Sequence, residues 1–189
     1  MLAERGITVS YETVRRWVNH FGSSIAADLR KRRPRPHSTW HLDEVYIKID
    51  GRLVYLWRAV DAEGEVLDVL QSKRDKRAAL KLMRKLLKKL NFVPDKLVTD
   101  DLRSYGAACR DLGISHLHER GRRRSGEFTP ANPTTMQGFK SAGSAQRFLS
   151  FHAATYNTFN VQRHLTSANT HRAFRASAMQ TWREVTAAA

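Results

Sequence analysis

Two aspartates carry the first chemical reading of this sequence. Asp43, Val45, Ile47 and Ile49 alternate with Glu44, Tyr46 and Lys48, so a strand there sets a carboxylate in line with an apolar row. Asp100 closes the short apolar run Lys96-Leu97-Val98-Thr99, and in open α/β sheets chemistry gathers beyond such strand ends. If the two strands are neighbours, the carboxylates meet. Facing carboxylates repel unless one takes a proton or a cation neutralises them, and Mg²⁺ prefers hard oxygen ligands with waters completing an octahedron. Two such ions, about 3.5 to 4 Å apart, can activate a water or a DNA 3′-hydroxyl and stabilise the leaving oxygen in phosphoryl transfer. Spacing alone leaves a plainer reading open, because turn and cap aspartates outnumber catalytic ones and Asp101 could equally cap a helix.

The elements that must hold these acids follow from periodicity. Asp50-Gly51 is a tight hairpin signal, residues 53–60 read as a second strand, and Asp61-Ala62-Glu63-Gly64 turns into a third at residues 65–70. Ala78, Leu82, Leu86 and Leu90, with Ala79, Met83 and Leu87, form one face of a helix whose other face carries Lys81, Arg84, Lys85, Lys88 and Lys89; Pro94 follows its end. Residues 96–99 are a short buried strand, residues 102–112 a helix stopped by Gly113, and His116-Leu117-His118 one more short strand. Three antiparallel strands followed by helix, strand, helix and strand is the order of a ribonuclease H-like α/β fold, a mixed sheet with helices on its faces.

Composition narrows the partner. The 189 residues, 41% apolar and 27% charged, are enough for one main core, and 33 Lys and Arg against 18 Asp and Glu leave a formal charge of +15. That charge favours a polyanion, with nucleic acid the leading candidate. No run approaches the roughly 18 to 20 apolar residues of a spanning helix, and the first residues are no signal peptide. The single cysteine, Cys109, forms neither an internal disulfide nor a cysteine metal site, which fits a reducing cytoplasm.

Ahead of the sheet, Ser10 is a candidate N-cap for a helix with the stripe Val14, Trp17, Val18 and Phe21, leaving Arg15, Arg16, Asn19 and His20 largely off it. With the turn before it, residues 1–30 read as a partial helix-turn-helix whose second helix would meet the major groove; the plainer alternative is an amphipathic helix with a solvated basic face. Pro34 and Pro36 make residues 31–39 the linker, since each pushes its predecessor toward extended geometry. Residues 40–165 form the expected catalytic domain and residues 166–189 a C-terminal helix that Trp182 packs down. The aromatics Phe148, Phe151, Tyr156 and Phe159 are read as core.

Several stretches resemble one family closely. Trp40-His41-Leu42-Asp43-Glu44, Tyr55-Leu56-Trp57-Arg58-Ala59-Val60-Asp61, Arg74-Asp75-Lys76-Arg77-Ala78-Ala79, Val98-Thr99-Asp100, Tyr105-Gly106-Ala107, Gly138-Phe139-Lys140-Ser141 and Tyr156-Asn157-Thr158-Phe159-Asn160 are similar to the transposases of insertion-sequence family six. These are DDE enzymes of ribonuclease H-like fold that bind element ends and join them to target DNA using Mg²⁺, for which Mn²⁺ can substitute. The resemblance implies that Asp43 and Asp100 are the first two catalytic, metal-binding acids, with Glu44 and Asp101 as neighbours outside the triad. It also implies DNA as partner, a homodimer or higher oligomer, and a place at the bacterial nucleoid.

The sequence departs from the family twice. Family members begin with further helices ahead of the position of Met1, so only the end of the helix-turn-helix is expected here. The second departure falls where relatives carry the third acid on a helix, in a stretch like Asn-Asn-Arg-Ala-Glu-Asn-Ser-His-Gln. Here Glu127 is the only acid between Glu119 and Glu184, 27 positions after Asp100, and Pro130 and Pro133 forbid a regular helix just past it. Back-translated residues 126–135, shifted by one base, can read Glu-Asn-Ser-His-Gln-Pro-Thr-Arg-Arg. The expectation is a frameshift entered near Gly121 and restored by Met136, which the gene's nucleotide sequence tests. Two functional readings follow: a transposase that cleaves and joins DNA, impaired in this chain, or a catalytically inactive DNA-binding remnant that competes for element ends or for intact transposase.

Overall fold

The computed structural model describes residue 6 and residues 8–121, 138–161 and 166–188. Its elements run α1 (Tyr11–Arg32), β1 (Thr39–Ile49), β2 (Arg52–Asp61), β3 (Val66–Ser72), α2 (Lys76–Leu90), β4 (Lys96–Thr99), α3 (Arg103–Asp111), β5 (His118–Arg120), α4 (Ala142–Phe159) and α5 (Ala168–Ala187). By contacts the chain forms two compact units, residues 34–146 and residues 1–33 with 147–189.

In the first unit, local chemistry sets each turn. Asp50 and Gly51 both take positive φ, 49° and 73°, the geometry of a two-residue hairpin between β1 and β2. The next turn closes on Asp61, which is buried and accepts backbone N–H bonds from His37, Glu63 and Glu65. Asp75 caps α2 by accepting from Ala78 N, and Asn91 ends the helix in the left-handed region at φ 55°. The sheet order is β3-β2-β1-β4-β5. β1 pairs antiparallel with β2, and β2 with β3, whereas β1 with β4 and β4 with β5 are parallel. One face packs Trp40, Leu42, Trp57, Ala59, Leu67 and Leu97 against Ala79, Leu82, Met83 and Leu86 of α2 and Tyr105 and Cys109 of α3. The basic side of α2 is partly used as well: Lys85 and Lys89 hold Asp68 at 2.9 and 3.1 Å. Burial alone would raise the Asp68 carboxyl, but the two lysines outweigh it and hold it below its usual range. The last short strand, expected at His116-Leu117-His118, begins two residues later at His118, because residues 115–117 form a 3₁₀ turn before β5.

The second unit centres on Ile25, Ala26, Leu29, Ala154 and Val185, with Phe151 and Trp182 against them. Trp182 meets Phe151 and Phe159 at ring separations of 6.3 and 5.8 Å, so α5 is pinned by the aromatic the sequence singled out. Ser10 is the N-cap of α1, accepting from Thr13 N. That helix runs into the basic linker and stops only at Arg33, whose backbone is extended because Pro34 disfavours helical geometry before it. Val14, Trp17 and Phe21 stay 43, 48 and 37% exposed. Together with Ile25, Phe151 and Trp182 they line an apolar hollow of about 510 Å³.

Candidate active site

The parallel register of β1 and β4 decides the site. Leu42 pairs with Thr99, so Asp43 and Asp100 are the next positions on two neighbouring strands. Asp100 lies where β4 ends and is exposed; its Oδ1 accepts the Leu102 N–H at 3.1 Å, ahead of α3. Asp101 does not cap α3, whose N-cap is Leu102 without a side-chain cap bond, and the Asp100 bond closes the turn just before it. Asp43 sits deeper, with its side chain 19% exposed.

Asp43 is engaged by a residue the sequence reading passed over. Arg58 lies directly opposite it on β2. Its Nε donates to Oδ1 at 3.0 Å and its Nη2 to Oδ2 at 2.6 Å, a bidentate pair whose arginine is 6% exposed. The third nitrogen, Nη1, is buried without a hydrogen-bond partner. The signal was present in the sequence, because an arginine inside Leu56-Trp57-Arg58-Ala59-Val60 cannot be buried without a counter-charge.

Glu44 faces the other side of β1. It is not a solvent-facing neighbour, for its side chain is 3% exposed and Arg74 donates to its Oε1 through Nε at 2.9 Å and Nη2 at 2.6 Å. Burial, joined by the Asp100 charge, raises the Glu44 carboxyl above its usual range against the opposing pull of Arg74. Tyr105 of α3, edge-on to Trp57 at 5.3 Å, feels Glu44, Asp43 and Asp100 together. Burial first, then those acids, push its phenol far up, so it stays a neutral hydroxyl at any working pH. Asp43 is thus held by Arg58 on one face of β1 and Glu44 by Arg74 on the other.

The hard carboxylate oxygens of Asp43 and Asp100 fit a divalent cation by ligand type. Among the described residues no three His, Cys, Asp or Glu side chains gather as a metal-binding group, so that part of the chain supplies two acids. Glu127, the expected third acid, lies outside the described residues. His118 is a structural residue: its Nε2 meets Thr99 Oγ1 at 2.8 Å, and burial lowers its ring below the usual range. On α1, Arg15 is hydrogen-bonded twice to Glu12, while Arg16, Asn19 and His20 border one open surface hollow with Trp17 and Phe21.

A five-stranded sheet of this order, antiparallel on one side of β1 and parallel on the other, with acids where β1 and β4 meet, defines a ribonuclease H-like fold. A family model described as a DDE domain matches residues 37–162, and the chain belongs to that family, the DDE transposases of insertion-sequence family six. It is 39% identical over 101 residues to the transposase for insertion sequence-like element IS431mec of Staphylococcus aureus, covering 53% of this chain and 45% of that protein. To the Staphylococcus aureus transposase for element IS257 in transposon Tn4003 it is 38% identical over 101 residues, with the same coverage of 53% and 45%. The chain therefore spans less than half the length of these curated relatives. Among solved structures it is similar to the HTLV-2 integrase catalytic core in complex with magnesium, at 19% identity and a TM-score of 0.38, covering 49% of this chain and 66% of that one. A chain of the simian T-cell lymphotropic virus intasome is similar at 19% identity and a TM-score of 0.44, covering 71% and 55%.

Proposed function

We propose that this chain acts in insertion-sequence transposition, as a metal-dependent enzyme that cleaves and joins DNA, with Asp43 and Asp100 as two of its carboxylates and Glu127, the sole acid between Glu119 and Glu184 in the sequence, as the candidate for the third role. The observation that supports this reading is the β1–β4 register, whose last pair is Leu42 and Thr99, so that Asp43 and Asp100 are the next residues along each strand. Mg²⁺ bound there, or Mn²⁺ in its place, would supply Lewis-acid activation of the attacking oxygen and charge stabilisation of the leaving one. The chain's own residues orient: Arg58 fixes the Asp43 carboxylate by two bonds, and the Leu102 N–H fixes Asp100. Element ends and target DNA are the proposed partners, in a homodimer or higher oligomer, because joining two ends needs two active chains. The bacterial cytoplasm, at the nucleoid, is the proposed location; among the described residues no helix is long and apolar enough to cross a membrane.

A metal titration tests the site. Ligands that bind only the native state raise its stability by mass action, about 2.7 kcal/mol at a hundredfold excess over Kd. Mg²⁺ or Mn²⁺ should raise the thermal midpoint of the wild type, and Asp43→Asn or Asp100→Asn should each reduce that increment. An identical increment in all three proteins removes the pair as a metal site.

The second reading, a DNA-binding remnant without catalysis, is favoured by the proline-bearing stretch around Glu127. Binding is common to both readings and rests on the +15 charge. Residues 1–30, through Arg15, Arg16, Asn19 and His20, are the proposed partial helix-turn-helix contact. Neutralising about six phosphates would weaken duplex binding on the order of 10³-fold between 50 and 200 mM salt. Element-end and scrambled duplexes should then differ by less than about a thousandfold, the low edge of specific recognition. Larger discrimination in a salt titration would show that these residues still read sequence. A metal-dependent nicking assay on element-end DNA separates the two readings.

A further inference from the structure

Glu44 and Arg74 form a second charged pair beside the acids, and no step proposed above uses it. Glu44 directly follows Asp43 in β1 but faces the opposite side of the strand, toward Trp57 and Tyr105. Its side chain is buried, and both bonds it receives from Arg74 land on one oxygen, Oε1. Arg74 stands between β3 and α2, just ahead of the α2 cap Asp75. It differs from its partner in exposure: 45% of the arginine side chain is open to solvent against 3% of the glutamate. Its guanidinium carbon lies over the Tyr55 ring, 5.7 Å from the centroid. Thus one edge of the guanidinium, Nε and Nη2, is fixed by a buried carboxylate and a face by an aromatic ring. Nη1 has no protein acceptor among the described residues. A guanidinium held this way has lost most of its freedom before any ligand arrives, so little further ordering is needed for it to bind an oxyanion. Arg74 bonds Glu44, the residue next to Asp43 in β1, and so stands at the same end of the sheet as the acid pair.

We propose that Arg74 binds a DNA phosphate next to the Asp43–Asp100 pair and that Glu44 is the positioning residue that holds Arg74 there. This rests on the strand-transfer reading, because a phosphate must pass the acids for Arg74 to meet it. The pair is more than a surface salt bridge, for two exposed charges would gain little from each other, whereas here one partner is buried and built to orient the other. A lysine cannot replace the fork, since an ammonium cannot be held along one edge and still present a second nitrogen outward.

The test uses the full chain and a plain duplex of fixed length in buffer without divalent ions, so that binding is read without cleavage. Arg74→Gln should weaken binding about tenfold, the scale of one charge-assisted hydrogen bond, and should flatten the slope of log affinity against log salt by about 0.9, one phosphate's share. Arg74→Lys should keep the slope and still lose affinity. Glu44→Gln separates positioning from bulk charge. Removing a negative charge near DNA tightens binding if Glu44 acts only through its charge, and weakens it if Glu44 holds Arg74 in place. Thermal melts verify that each variant folds, and Arg74→Lys, which keeps the charge beside Glu44, carries the test if Arg74→Gln does not fold. An unchanged slope in Arg74→Gln, or tighter binding in Glu44→Gln, overturns the proposal while leaving the transposition reading intact. A wild type that shows no salt-dependent DNA binding overturns both.

Discussion

Asp43→Asn lowers the unfolding free energy of this protein by about 3–5 kcal/mol, the cost of leaving a buried charge without its partner. The reason is Arg58, 6% exposed and bonded to both carboxylate oxygens. An amide offers one acceptor and no charge, and the arginine cannot turn to solvent from within the sheet. Arg58→Met should be similarly costly, because it removes both bonds that the arginine donates to the Asp43 carboxylate. The double variant should be much less destabilised than the sum of the two, since it removes the pair together and puts an apolar side chain in the core. Asp100→Asn serves as the contrast. It is exposed, its bond to the Leu102 N–H is one an amide oxygen can also accept, and its effect should stay within about 0.5 kcal/mol. Urea unfolding of the four variants checks the set. Additive losses for Asp43→Asn and Arg58→Met would show that the two side chains do not form the coupled pair described above. The consequence for enzymology is practical, because loss of activity in Asp43→Asn would mix the loss of a proposed metal ligand with a weakened fold, whereas loss in Asp100→Asn would not.

The second large effect concerns the third acid. As written, the chain should cleave element-end DNA poorly or not at all, and replacing residues 122–135 with the family's helical segment should raise Mg²⁺-dependent nicking by roughly 100-fold or more, the scale on which a misplacement of about 1 Å acts. Two aspartates can hold one ion, but the second needs a further carboxylate fixed to within about 0.5 Å. We propose that Glu127 lacks that fixing, because the sequence carries Pro130 and Pro133 just past it and proline disfavours a regular helix. Glu127→Gln in the present chain should therefore change little. The measurement is a gel assay of nicking in Mg²⁺ with the original chain, the replaced chain and Glu127→Gln. Robust cleavage by the original chain that Glu127→Gln abolishes would make Glu127 the working third acid.

How these residues come together was only partly written in the sequence. Alternation marked β1, the Asp50-Gly51 pair marked its hairpin, and the apolar face of α2 marked the helix with its N-cap Asp75, because each depends on neighbours a few positions away. The succession of elements pointed to a ribonuclease H-like mixed sheet, but the adjacency of β1 and β4 stood there only as a condition, which the parallel pairing of the two strands meets. Partners across the sheet were not legible. Alternation put Glu44 on the face shared with Tyr46 and Lys48, and those two are exposed while Glu44 is buried. Periodicity assigns a side to each residue but cannot say where along a strand a helix covers that side; α3 covers β1 near Leu42 and leaves Tyr46 open. The same limit hid Arg58 and Arg74. Their distances from Asp43 and Glu44 along the chain are set by hairpin register and by the path from β3 to α2, and a one-residue slip would have turned Arg58 to the opposite face. Residue types and short-range spacing thus marked the elements and made the two aspartates candidates, because those signals are local, while their expected role came from the family resemblance. Which charges neutralise which acids was decided only by tertiary structure, because burial is a property of what packs above a residue and not of the residues beside it.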